Sequence, residues 1–279
     1  MPVTDRQRRD DDPTLDFREG TPYARYGGID TLLSLQHPRT AQPAETGFLI
    51  TTQVMELLFK LLAHEWTQAR DALEDDQVPT ALAALRRSSR AQEVLVDSWD
   101  LLAALTPGEF AAFRDGLGEA SGVQSGTYRE LEFLLGNKSA AMLRPHRDSP
   151  GTLARLRAVL AEPSLYDASL RLLSRRGVAV PHDHVARDWT QPYESDPGVE
   201  AAWATVYAEE SPDNDASQLA ELLVDTAERV TRWRQRHLLV VRRSLGAKPG
   251  TGGSSGVEWL RRNAERDVFP ELWSLRNTM

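Results

Sequence analysis

Apolar residues in this chain recur at helical spacing over stretches too long for any other regular element. The last of these stripes runs Leu219, Leu223, Val230, Trp233, His237 and Val241, stepping by three, four or seven as one buried helix face does. No alternating run is long enough for a substantial strand. Several segments open on a capping residue followed by proline at the first helical position: Thr106-Pro107, Ser149-Pro150 and Asp196-Pro197. Glu109, three residues after Thr106, completes a capping-box pattern. Together these signals predict helices over 45–74, 79–105, 107–116, 125–135, 150–161, 164–175, 197–209, 215–245 and 257–265. The longest span about 40 Å at 1.5 Å per residue. The predicted fold is therefore all-α, a helical bundle of long helices with short helices at its flank.

A chain of 279 residues can bury a full core. Residues 1–20 are crowded with charge and poor in apolar anchors, which predicts a disordered tail, and residues 21–279 are expected to form one domain. The segment Glu210–Asp215 is the expected exposed linker. A net charge of −8 gives no basic surface for nucleic acid or an anionic membrane. The absence of cysteine excludes disulfides, thiolate haem ligation, cysteine-held iron–sulfur clusters and zinc-thiolate sites. No uninterrupted apolar run reaches membrane-spanning length, and the first residues lack the apolar core of a signal peptide. A cytoplasmic location is the expectation.

An imidazole on an apolar stripe must hydrogen-bond, stay neutral or bind something. Spacing alone leaves His237 open between a core histidine satisfied by a carbonyl and a ligand. Phe48, Thr52, Met55 and Phe59 share one helix face, either as bundle packing or as a pocket wall. Arg114, next to Phe113 and four residues after Phe110, is either a solvated charge or a clamp at the rim of an aromatic face. His182-Asp183-His184 follows Pro181 in an expected loop and has no third ligand at a recognisable spacing. His64 and His146 have no catalytic partner in sequence. The loop Gly250–Gly256 lacks the Gly-Lys-Ser/Thr ending of a phosphate loop, and no Gly-x-Ser-x-Gly nucleophile elbow is present.

Three motifs in order carry a resemblance: Thr106-Pro107-Gly108-Glu109-Phe110-Ala111-Ala112-Phe113-Arg114, then Phe133-Leu134-Leu135-Gly136-Asn137-Lys138. The third is Arg236-His237 through Leu245-Gly246, followed by Gly250-Thr251-Gly252-Gly253-Ser254-Ser255-Gly256. With them the chain resembles the haem-dependent tryptophan 2,3-dioxygenase family from about Tyr26 to Arg276. The resemblance implies haem b seated between helices, with His237 as the proximal iron ligand. It puts Phe48 in an indole pocket, makes Arg114 a carboxylate clamp, and gives Thr251 a contact with the amino and carboxylate groups. A guanidinium suits a clamp because it grips a carboxylate through two parallel hydrogen bonds. Ser121 and Gly122 are implied against the haem edge, and Phe113 is taken as a further cofactor contact.

Three positions depart from the family pattern. Thr52, the catalytic position on the distal side, stands where the family has histidine; the related indoleamine dioxygenases have serine there. Phe110 replaces a tyrosine whose hydroxyl joins the carboxylate contact, a loss of about 1.5–3 kcal/mol. Ile29-Asp30-Thr31 follows Tyr26-Gly27-Gly28 where the family has a second tyrosine. In the family the Tyr26 segment completes a neighbour's indole pocket, which implies a homotetramer, a dimer of dimers. The implied substrates are dioxygen and tryptophan or a tryptophan derivative. Entry of both oxygen atoms at the indole C2–C3 bond gives an N-formylkynurenine-type product. The alternative is a monooxygenase that forms a 2-oxindole from a β-methylated tryptophan with an external reductant. A haem sensor without turnover, or a purely structural helical protein with no Soret band, are readings of another class.

Overall fold

The structure, a computed structural model, describes residues 16–18, 20–209, 211, 214–246, 248, 250–253 and 255–279. Most of the expected tail, and residues 210, 212 and 213 of the expected linker, lie outside the described residues. Every extended element among the described residues is helical, and the β-bridge between Arg18 and Gly20 is isolated. The all-α expectation holds.

Two compact units divide at Pro38. In the first, α1 (Pro22–Gly27) and α2 (Ile29–Leu33) meet at Gly28, whose φ of 59° makes the corner. The Thr21 hydroxyl oxygen caps α1 by accepting from the Ala24 N–H at 3.2 Å. Neither helix was expected, since each is too short to show an apolar period. Tyr26 is 98 % exposed.

The second unit is built on α3 (Pro43–Glu74) and α4 (Val78–Ala103), joined by a turn in which Asp76 has φ 57°. Trp66 Nε1 donates to the Ser88 hydroxyl at 3.1 Å, and Arg87 pairs with Glu65 at 2.7 Å, so the two helices are tied both inside and at the surface. The long helix α11 (Asp215–Leu245) lies against α4. Gln92 Nε2 donates to the Thr226 carbonyl at 3.0 Å, Arg229 pairs with Glu93 at 2.7 Å, and Arg236 pairs with Asp100. Leu62, Trp66, Leu73, Leu85, Leu219 and Leu223 fill the interior between these helices; each such side chain contributes about 1.5–3 kcal/mol by leaving water.

Shorter helices surround the three. α5 (Pro107–Arg114) packs on α3 and α11; α6 (Gly126–Leu134) packs on α3, and α7 (Pro150–Ala161) on α6. α8 (Leu165–Arg175) covers the far end of α3, with α9 (His182–Val185) beside it. α10 (Pro197–Ala208), α12 (Val257–Ala264) and α13 (Pro270–Ser274) complete the unit. The expected capping box at Thr106 forms: its hydroxyl accepts from the Glu109 N–H at 3.2 Å, and Glu109 accepts from the Thr106 N–H at 2.8 Å. Asp196 caps α10 through the Gly198 N–H at 2.7 Å, whereas Ser149 makes no side-chain cap. The His182 segment is a short helix, not the expected loop, because the Pro181 carbonyl accepts from the N–H groups of His184 and Val185.

Among the described residues, α3 alone is long and apolar enough to cross a membrane by length and composition, with a mean hydropathy of 1.3 over 18 residues. No uninterrupted apolar run was found there because Glu45, Glu56, Lys60 and Glu65 interrupt the helix. Its inner face holds Met55, Phe59 and Trp66 in the core, while Ile50, Leu57 and Leu61 stay exposed on the outer face.

Glu271 fastens α13 to the bundle. It is 2 % exposed and accepts from the Tyr166 hydroxyl at 2.9 Å, the Tyr193 hydroxyl at 2.7 Å and the Asp196 N–H at 2.8 Å. Glu271→Ala strands three donors and is expected to lower the unfolding free energy by about 3 kcal/mol or more. Urea denaturation checks this, and a loss below about 1 kcal/mol would mean the donors find other partners.

Candidate functional site

His237 stands one turn past Trp233 on α11, and the α4 side chain Trp99 lies flat against it, with ring centroids 4.3 Å apart and planes 15° from parallel. Trp233 is 5.7 Å away and extends the aromatic wall to Phe59 and Tyr128 at centroid separations of 5.7 and 5.0 Å. Burial pushes the His237 pKa down to about 4, so the ring is neutral near pH 7. Neither ring nitrogen has a hydrogen-bond partner among the described residues. Among the described residues, no carbonyl accepts from the ring as the core-histidine alternative requires. Trp99 Nε1 and Trp233 Nε1 are likewise buried without a partner.

A second cluster forms where α5 meets the start of α3. Phe48 sits 5.9 Å from Phe110 and 5.4 Å from Phe113, both of which are buried. Arg114, the last residue of α5, follows Phe113 at the edge of this cluster and is half-buried. Thr52 lies one turn past Phe48 but is exposed, and its hydroxyl donates to the Phe48 carbonyl at 2.9 Å. Met55 and Phe59 continue the shared face into the core, so the expected stripe is buried at one end and open at the other.

The glycine-rich loop docks on the segment after α5. Thr251 Oγ1 donates to the Ala120 carbonyl at 2.7 Å. A Cβ on Gly252 would come within 2.7 Å of the Ser121 Cβ, so the two strands of chain touch only because residue 252 has no side chain. This brings Thr251 beside Ser121 and Gly122, which open a 3₁₀ turn at Gly122–Gln124. Gly256 has φ +62°, and a Cβ there would meet the Lys248 carbonyl oxygen at 2.7 Å. Gly256→Ala is expected to cost about 1–2 kcal/mol of loop order. Limited proteolysis by proteinase K within residues 246–256 should then run roughly tenfold faster than in the parent; an unchanged rate would contradict it.

The motif Asn137-Lys138 turns out to be structural. Lys138 Nζ donates to the carbonyls of Val159 at 2.6 Å, Leu160 at 3.2 Å and Glu162 at 2.7 Å, closing the end of α7. His184 lies 3.6 Å from Asp196, His146 is buried in the 3₁₀ segment Ala140–His146, and His64 is exposed on α3. No group of three or more metal-binding side chains occurs among the described residues. Trp99 and Tyr128 were not found in sequence. Trp99 lies more than a hundred residues from His237, and no periodic signal links them.

The residues around His237 fit a haem. A neutral imidazole with an unspent nitrogen lone pair is the form that binds iron, and the flanking aromatic wall is apolar, as a porphyrin face requires. A small adjoining cavity, about 20 Å³ and partly open, is bounded by Phe59, Trp66, Tyr128, Glu132, Trp233 and Arg234; His237 does not line it. The case for His237 thus rests on the imidazole's own surroundings and not on that space.

Comparison with known proteins gives a single family. A family model described as tryptophan 2,3-dioxygenase matches residues 9–205 and 204–279. A tryptophan 2,3-dioxygenase of Cupriavidus necator is 45 % identical over 265 residues, covering 95 % of this chain and 90 % of that protein. Tryptophan 2,3-dioxygenase 1 of Ralstonia nicotianae is 42 % identical over 268 residues, covering 96 % and 91 %. A tryptophan 2,3-dioxygenase of Bordetella pertussis is 44 % identical over 270 residues, covering 97 % and 95 %.

Proposed function

The chain belongs to the tryptophan 2,3-dioxygenase family of haem-dependent oxidoreductases, and from that premise we propose that it inserts dioxygen-derived oxygen at the indole C2–C3 bond of tryptophan or a modified tryptophan. Membership sets aside the sensor and structural readings, which are not enzymes. The observation that carries the proposal is His237: a neutral imidazole, held among aromatic rings, with no hydrogen-bond partner among the described residues.

In this reading His237 holds the iron of haem b, with Trp99 fixing the plane of its ring and Ser121, Gly122 and Phe113 against the macrocycle. The haem, when bound, supplies the activation of dioxygen. The chain's own residues supply placement. Arg114 grips the substrate carboxylate with its planar fork. Thr251 contacts the amino-acid end beside it. Phe48, tilted against Phe110 and Phe113, offers the indole a rigid apolar wall, and Tyr26 of a neighbouring copy closes the pocket. Phe110 brings no hydroxyl to the carboxylate, so Arg114 carries more of that contact alone. Thr52 is the residue nearest in role to the family's histidine. Its proton is committed to the Phe48 carbonyl, but its oxygen keeps lone pairs that can accept from the indole N–H. No side chain is asked to act as a base.

Product mass separates the two outcomes. Tryptophan gaining two oxygen atoms is the expected result. A second reading, one oxygen retained as a 2-oxindole of a β-methylated tryptophan, is favoured by Phe110, which lacks the hydroxyl of the family's tyrosine, and by Thr52, which is shorter than the family's histidine and cannot act as a base near neutral pH. A gain of one oxygen that depends on ascorbate sinks the dioxygenase version. Tryptophan and β-methyltryptophan should be supplied separately to protein expressed with a haem precursor.

Association into a homotetramer in the cytoplasm is part of the same proposal. It is supported by the nearly full exposure of Tyr26 and by the apolar outer face of α3. Removing residues 1–28 should weaken substrate affinity markedly while leaving the Soret band; unchanged affinity would argue against a shared pocket.

A further inference from the structure

Arg234 stands between the cavity beside Trp233 and a separate crevice lined by Asn137, Tyr193, Arg266, Asp267 and Phe269. It is 4 % exposed, and its Nε has no partner. Its carboxylate neighbour, Glu132, is 3.7 Å from Nη2 and already occupied: one oxygen is held by Arg129 and the other accepts from Asn137 at 3.1 Å. One buried carboxylate therefore serves two buried guanidiniums. Arg266, across the crevice, donates to Asn137 Oδ1 and makes no ion pair among the described residues. Asp267 on the rim pairs with neither arginine, and Glu271 nearby is taken up by two tyrosine hydroxyls and the Asp196 N–H.

The backbone adds donors of its own. The N–H groups of Asp267, Val268 and Phe269 donate to no protein group among the described residues. Successive free N–H groups beside a guanidinium make a concavity that favours negative charge. Arg234 Nη1 donates to the Arg266 carbonyl at 3.0 Å and Nη2 shares Glu132 with Arg129, so Nε is the donor left over. A buried guanidinium that shares its one counter-charge is costly unless something supplies another.

We propose that this crevice is an anion-binding site, which holds a small anion, a carboxylate or a halide, between Arg234, Arg266 and the N–H groups of residues 267–269. The bound anion ties the loop between α12 and α13 to α11 one turn before His237. The site is separate from the proposed catalytic pocket and does not depend on it.

The test is thermal unfolding of the intact holoprotein against sodium bromide and sodium formate, with ionic strength held constant by a bulky buffer salt. The parent should show a saturable rise in Tm. In Arg266→Gln, at an exposed position, the midpoint concentration should increase at least about tenfold, as expected for loss of a charged hydrogen bond. Arg144→Gln, an exposed arginine outside the crevice, should behave as the parent. A response to formate alone identifies a carboxylate ligand, and one to bromide alone an inorganic ion; either supports the site. An equal rise in Arg266→Gln, or no saturable response to either anion, overturns it. So does a crystal soaked in whichever of the two anions raises Tm, if its crevice contains ordered water only. Turnover is not read in any arm, so failure here leaves the proposed function where it stands.

Discussion

Replacing His237 by alanine is expected to abolish the Soret band of protein expressed with a haem precursor and to reduce oxygenase activity to background. No cysteine is available as a substitute ligand. The five other histidines are elsewhere: His37 precedes α3, His64 is on the exposed face of α3, His146 is buried in a 3₁₀ segment, His182 is exposed, and His184 is held near Asp196. Loss of an outer-shell partner of a metal ligand commonly costs about 10–100-fold, and removal of the ligand itself should exceed that. Added imidazole should restore part of the ferrous spectrum by filling the space the side chain leaves. A variant that kept the parent's five-coordinate ferrous spectrum would end the assignment of His237.

Arg114 is expected to give the next largest effect. Two charge-assisted hydrogen bonds at about 1.5–3 kcal/mol each make the clamp worth about 3–6 kcal/mol, so Arg114→Met should lower kcat/KM for tryptophan by about two to four decades. Arg114→Lys keeps the charge but loses the fork, and should fall between. The discriminating readout is tryptamine, which has no carboxylate and should be turned over equally by parent and variant. Equal losses on both substrates would mean that Arg114 supports α5 instead of holding the ligand.

Long elements were legible in sequence because they repeat their signal many times. The stripe from Leu219 to Val241 spans most of α11, and the predicted range 215–245 is the helix found. Short elements were not: α1, α2, α9 and α13 have six residues or fewer, too few to display a period, and their boundaries depend on single caps and turns. The same division runs through the site. Phe48 could be grouped with Met55 and Phe59, and Phe110 with Phe113, because each set lies at helical spacing, and Thr251 could be singled out because glycine surrounds it; the contact of Phe48 with Phe110 and Phe113 could not. Trp99 could not, because its contact with His237 depends on how α4 and α11 are paired in space. Nor could Thr52 be seen bonding to Phe48, since a hydroxyl that folds back on its own helix leaves no mark in the sequence.

The Thr251 hydroxyl has a single proton, and the Ala120 carbonyl has it. What remains on that oxygen is purely electron-rich, so under the proposed placement an incoming zwitterion would meet it with the cationic end. Arg114, which can only donate, would meet the anionic end. Chirality at the α-carbon then follows from two fixed points of opposite polarity and the ring direction, and the D-enantiomer would have to present its ammonium to a guanidinium.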